Sequence, residues 1–162
     1  ARSGKMPREG GVNNYSPPCS NPAGNLAVLR RPMTEKIVEN WLEQFVSTAL
    51  EGDLAAHMAM ISRDVLVFGV PGFDALEFDD WYRQCEHEFP QGLLSDLGYS
   101  APDIRTASEE RILFKSLETT RSTDGGVNRQ GVEMLLQRDV NDWKLKQMRL
   151  LADDEARHDG LL

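Results

Sequence analysis

The stretch "LEGDLAAHMAMISRDVLVFGVPG", residues 50–72, decides how this chain is read. A helical repeat of apolar residues stops at Gly52-Asp53, a second short repeat follows, and an apolar run then ends at Gly69, Pro71 and Gly72. Gly52 can adopt positive φ and close the first helix. Asp53 can cap the second, in which Leu54, His57, Met58 and Ile61 share a face. "DVLVF" (64–68) has the composition of a short buried strand, and the glycines and proline after it stop that strand. The chain therefore makes two helical segments before its first strand.

Upstream, Ile37, Val38, Trp41, Leu42, Phe45, Val46, Ala49 and Leu50 recur at three- and four-residue spacing. This predicts an amphipathic helix over 34–51 with Thr34 as its N-cap. Residues 1–32 are rich in Gly, Pro, Asn and Ser without periodicity, and read as a flexible leader. Within it, "NLAVLRR" (25–31) could add to a neighbouring surface as a short strand. Downstream, Phe78, Trp81, Tyr82, Cys85 and Phe89 form one stripe of a third helix over 79–89, with Asp79-Asp80 at its N-terminus.

After residue 98 the pattern alternates. "DIRTASEERILFKSLETTR" (103–121) suits one long bent strand or two, and "STDGGVNR" (122–129) supplies a hairpin turn. "QGVEMLLQRDV" and "WKLKQMRLLA" are two further strands about a tight turn at Asn141-Asp142. Helices with one strand among them, then an antiparallel meander, indicate an α+β domain over 34–152, followed by a C-terminal tail over 153–162.

The totals narrow the function. With 162 residues and 40% hydrophobic content, the chain can bury one core. The net charge is −8, while the first 33 residues carry Arg2, Lys5, Arg8, Arg30 and Arg31 against Glu9 alone. The body is thus strongly acidic, which disfavours binding to nucleic acid or to an anionic membrane surface. No secretory signal is visible, and Cys19 and Cys85 have no metal-ligand spacing. They are expected to be unpaired thiols in the cytoplasm.

The succession of helix, Gly-Asp break, short helix, strand, helix and long strands ending in "WKLKQMR" (143–149) resembles the nuclear transport factor 2-like superfamily. That group includes steroid isomerases, polyketide cyclases and scytalone dehydratase. The resemblance implies a cone-shaped, cystatin-like roll: a curved antiparallel sheet wrapped around the long N-terminal helix, with an apolar pocket at its open end. It also implies a homodimer built on the outer sheet face. A pocket of this kind would be lined by Trp41, Phe45, Phe68, Trp81, Leu135 and Arg149, and would take a small apolar molecule without a cofactor or metal.

Steroid isomerases carry a tyrosine, a carboxylate base and a protonated acid. Counted onto this chain, those positions fall on Phe45, Gly69 and on or near Leu135, none of which supplies the needed group. The steroid-isomerase mechanism is therefore not expected. Two other candidates for proton transfer stand out. His57 lies on the apolar face of the second helix, where a core histidine is the simpler reading. Glu118 and Glu133 are carboxylates in predicted strands. Glu133 would be a candidate base if it faced the pocket, although pairing across strands with Lys115 or Arg149 is the simpler outcome. Three functions follow: an apolar-ligand-binding homodimer, a lyase, isomerase or hydratase acting on a small cyclic substrate, or a module that only docks other proteins.

Overall fold

The computed structural model describes residues 22–162, with side chains from residue 31 onward. Most of the expected leader, residues 1–21, lies outside the described residues. The rest of it is helical, so "NLAVLRR" is not a strand. Helix α1 spans Pro22–Glu51 and runs through Pro32, at the loss of the one hydrogen bond that proline, lacking an N–H, cannot donate. It closes at Gly52, whose φ of 67° needs no side chain. Asp53 then caps α2 (Leu54–Ala59), accepting a hydrogen bond from Ala56 N at 3.1 Å.

Strand β1 (Ile61–Phe68) follows, then α3 (Phe78–Glu88) and a single 3-10 turn at Phe89–Gln91. The N-cap of α3 is Glu77, two residues before the expected Asp79-Asp80. Its N–H donates to the Asp80 carboxylate at 2.9 Å, which satisfies a free helix-end donor. The remaining strands are β2 (Leu94–Tyr99), β3 (Asp103–Ala107), β4 (Arg111–Ser122), β5 (Val127–Asp139) and β6 (Asp142–Leu150). The long alternating segment is thus two strands, β3 and β4. Strand β2 is an element the sequence reading did not contain. The expected tail carries a short helix, α4 (Asp153–His158).

The six strands make one sheet in the order β1-β6-β5-β4-β2, with β3 also paired to β4. All pairings are antiparallel except β1 with β6. Strand β4 is long enough to hold β3 along its first half and β2 along its second, while β5 covers its other side throughout.

One face of this sheet wraps the helix. Ile112, Phe114, Val132, Met134, Leu136, Leu145 and Met148 pack with Val38, Trp41, Leu42 and Phe45 of α1 in one core. Burying side chains of this size stabilises the fold by about 1.5–3 kcal/mol each before entropy is counted. A register shift between β5 and β6 decides which side chains join this core. Leu135 faces Gln147 but Leu136 faces Leu145, so Lys146 is an extra residue. The bulge reverses the alternation along β6. Leu145 and Met148 therefore both point inward, and Gln147 and Arg149 point outward.

Candidate functional site

Between α3 and the concave sheet face lies a cavity of about 350 Å³. Its walls are Phe45 from α1, Val67 and Val70 from β1 and the loop after it, Leu76, Trp81 from α3, and Met148 and Leu150 from β6. The lining is apolar because each of these strands alternates and α3 lays its aromatic stripe across the opening. Gln84 and Glu88 stand on α3 at the cavity, linked by a hydrogen bond of 3.1 Å.

One carboxyl enters from the sheet. Glu118 is in phase along β4 with Ile112, Phe114 and Ser116, the residues that face the helix. Directly opposite on β2 is Tyr99, whose hydroxyl donates to Glu118 Oε2 at 2.6 Å. Burial holds the Glu118 carboxyl above its ordinary range, partly offset by the Tyr99 hydrogen bond. The Tyr99 phenol is pushed well up, first by burial and then by the Glu118 charge. Cys85, also on the cavity wall, is pushed up to about 11 by burial and stays a thiol at neutral pH.

The other expected site residues are distributed differently. Phe45 and Trp81 do line the cavity, with ring centroids 6.1 Å apart in edge-to-face contact. Trp41 stacks behind Phe45 at 4.8 Å and donates from Nε1 to Trp143 O at 3.0 Å. It faces a separate cleft with Trp143 and Asn141. Phe68 pairs with Arg149 on the outer face, because its neighbour Val67 is the residue of β1 that points inward.

Glu133, Leu135 and Arg149 are on the outer face as well. The inward positions of β5 are Val132, Met134 and Leu136, all fully buried. Inward-facing residues on either side of Leu135 are thus apolar too. Glu133 accepts two hydrogen bonds from Arg149, at 3.1 and 3.3 Å, and lies 4.0 Å from Lys115 Nζ. This is the cross-strand pairing that competed with a pocket role. Helix α4 extends the network: Glu155 receives Arg149 at 2.8 and 2.9 Å, and Asp159 receives the buried Lys115.

His57 is buried, with its ring 4.6 Å from Phe45 and 5.5 Å from Phe89, and Nδ1 3.0 Å from Thr48 Oγ1. Burial pushes it down to about 4, so it is neutral at physiological pH. It supports the cavity wall from behind Phe45. Among the described residues, no group of three or more His, Cys, Asp or Glu is placed to hold a metal ion.

The helices and the sheet wrapped around them are shared with many solved structures. A protein of Shewanella oneidensis, described as NTF-2-like and of unknown function, matches with TM-score 0.62 at 13% identity, over 71% of this chain and 96% of its own. The fold is that of the nuclear transport factor 2-like proteins. A Novosphingobium aromaticivorans protein provisionally named a scytalone dehydratase matches with TM-score 0.60 at 18% identity, over 80% of this chain and 86% of its own. A third, an NTF2-like protein of unknown function from Pseudomonas putida, has TM-score 0.62 at 11% identity, over 75% and 87%. No family profile and no curated protein sequence matches the chain.

Of this site, the sequence reading contained Phe45, Trp81 and the carboxylate Glu118, but no orientation for Glu118. Tyr99 was missed. Its only signal is "LGY" (97–99), where Leu97 and Tyr99 sit two apart as they would on one strand face.

Proposed function

We propose that this NTF2-like domain binds a small, largely apolar, ring-sized molecule in the cavity between α3 and the sheet, with Glu118 as the group that orients it. The observation that carries this reading is the Glu118 carboxyl on the sheet side of a mostly apolar cavity of about 350 Å³, whose Gln84 and Glu88 side chains pair with each other on α3. Space of this size suits a one- or two-ring compound. A carboxyl placed against apolar walls fixes orientation, because a ligand that leaves it unpaired forfeits a hydrogen bond. The test is a screen of ring-sized apolar compounds followed by Trp fluorescence, with Trp81→Phe to assign the signal. Binding that depends on Trp81 supports the reading. Binding that is indifferent to both Trp81 and Glu118 places the ligand elsewhere and refutes it.

A second reading is favoured by the Tyr99–Glu118 pair. A carboxyl biased toward its protonated form, with a phenol donor on one oxygen, can supply or accept a proton in a lyase, isomerase or hydratase. The provisional name of one structural neighbour supports that class. Under this reading Glu118→Gln removes turnover by about two to four powers of ten while ligand binding survives.

A further inference from the structure

Resting on the proposed ligand pocket, we infer that its ligand carries a basic amine: the cavity is built to hold an apolar ring system with a protonated nitrogen seated between Glu118 and the aromatic wall. Three features point the same way. The titratable side chains on the cavity are Glu118, Glu88 and Cys85, and among its described lining residues there is no Lys, Arg or His. Lys115 of β4 and Arg149 of β6 are on the other face of the sheet and are occupied by Glu133, Glu155 and Asp159. A ligand carboxylate or phosphate would therefore enter a space whose charged side chains are all acidic, without a counter-charge.

The second feature is the free valence of Glu118. Tyr99 engages Oε2, and no other hydrogen bond to this carboxyl is present among the described residues. Oε1 is left to accept from a ligand. An ammonium donor there would form a charge-assisted bond, the stronger kind of hydrogen bond. The desolvation of Glu118 is already incurred in the empty protein, so a cation entering the cavity recovers it instead of adding to it.

Third, the walls include Trp81, an aromatic ring of the kind that attracts a nearby cation. Gln84 and Glu88 continue the acceptor character outward along α3. The groups facing Glu118 are few: Tyr99 from β2 and Cys85 and Glu88 from α3. The residues contributed by α1, β1 and β6 are Phe45, Val67, Met148 and Leu150, which do not titrate. An ammonium seated beside Glu118 would favour its ionised form.

The experiment compares three probes of nearly one shape, naphthalenemethylamine, naphthalenemethanol and naphthoate, binding to the full chain by calorimetry. The amine is expected to bind about tenfold or more tighter than the alcohol, and naphthoate not measurably. Glu118→Gln should weaken the amine about tenfold and leave the alcohol within about twofold, whereas Trp81→Leu should weaken both. The comparison of amine, alcohol and naphthoate uses the unmutated protein, so it holds even if a variant fails to fold. Equal binding of amine and alcohol, or amine binding unaffected by Glu118→Gln, overturns the amine inference and leaves the pocket reading standing. Failure of all three probes to bind at millimolar concentration overturns the pocket reading, and the inference with it.

Discussion

Gly69 adopts φ of 87°, and any Cβ on it would run into the carbonyl of Leu150. By the count from the family resemblance it would stand where steroid isomerases carry their base, and strand β6 passes too close to it for a side chain. Gly69→Asp should destabilise the domain by about 2–4 kcal/mol in urea unfolding, from backbone strain and overpacking together, and should produce no steroid-isomerase turnover. His57 gives a second residue-scale expectation, with a definite sign. Its folded value of about 4 is below the ordinary 6.5, so the unfolded chain binds the proton first as pH falls. Stability from this residue is complete above pH 6.5 and is lost as pH drops toward 4, by about 2 kcal/mol at pH 5. Glu118 acts oppositely, since a raised carboxyl favours the folded state as pH falls through its value. Comparing wild type with His57→Leu at pH 7 and pH 5 separates the two. The variant should lose most of the downward slope, and an unchanged slope would contradict the assignment.

At the scale of elements, two short features invite test. The β5–β6 hairpin turns through Val140 and Asn141, and Val140 is left-handed with φ of 57° and 84% exposed. A β-branched side chain is strained there, and nothing packs on it in return. Val140→Asn should raise stability by about 0.5–1 kcal/mol, measured as the urea midpoint. Helix α4 is held to the outer face by Ala156, fully buried over Gly131, and by the Lys115, Arg149, Glu133, Glu155 and Asp159 network. A Cβ on Gly131 would be 2.8 Å from Ala156 Cβ. Gly131→Val should therefore release α4 at a cost of about 1–3 kcal/mol, with amide exchange rising in residues 153–158 before it rises in β4 or β5. Acid acts on the same contact. Arg149 holds Glu155 down to about 2 and Lys115 holds Asp159 below its ordinary value, so their contribution is present above the usual carboxylate range and lost as pH falls through the folded values.

For the molecule as a whole, the sheet has two uses. Its concave face makes the core and cavity. Its outer face is covered at one end by α4, leaving Leu66, Phe68, Leu113 and Leu135 beyond it. We expect that remainder to pair with a second copy, as an antiparallel-dominated sheet must cover or charge a bare face. Light scattering that finds a single 18.2 kDa species at micromolar concentration would count against it. Among the described residues, no helix is long and apolar enough to cross a membrane.

Local pattern alone determined a good deal here. The Gly52-Asp53 break, the apolar stripe of α1 and the alternation of β4 and β5 each follow from a few neighbouring residues, and together they indicated the α+β roll. Phe45 and Trp81 could be placed on a cavity wall for the same reason, since a helical stripe has one face. Tertiary structure decided the rest. Strand β2 is short and holds its place by pairing with β4, so Tyr99 has no partner until the sheet forms. Glu118 could face either way until β4 acquired a concave side. Arg149 was turned outward by one extra residue, Lys146, because strand alternation has a period of two and a single insertion inverts every side chain after it. Periodicity is a property of a segment and survives in the sequence; the choice of face belongs to the assembled sheet and does not.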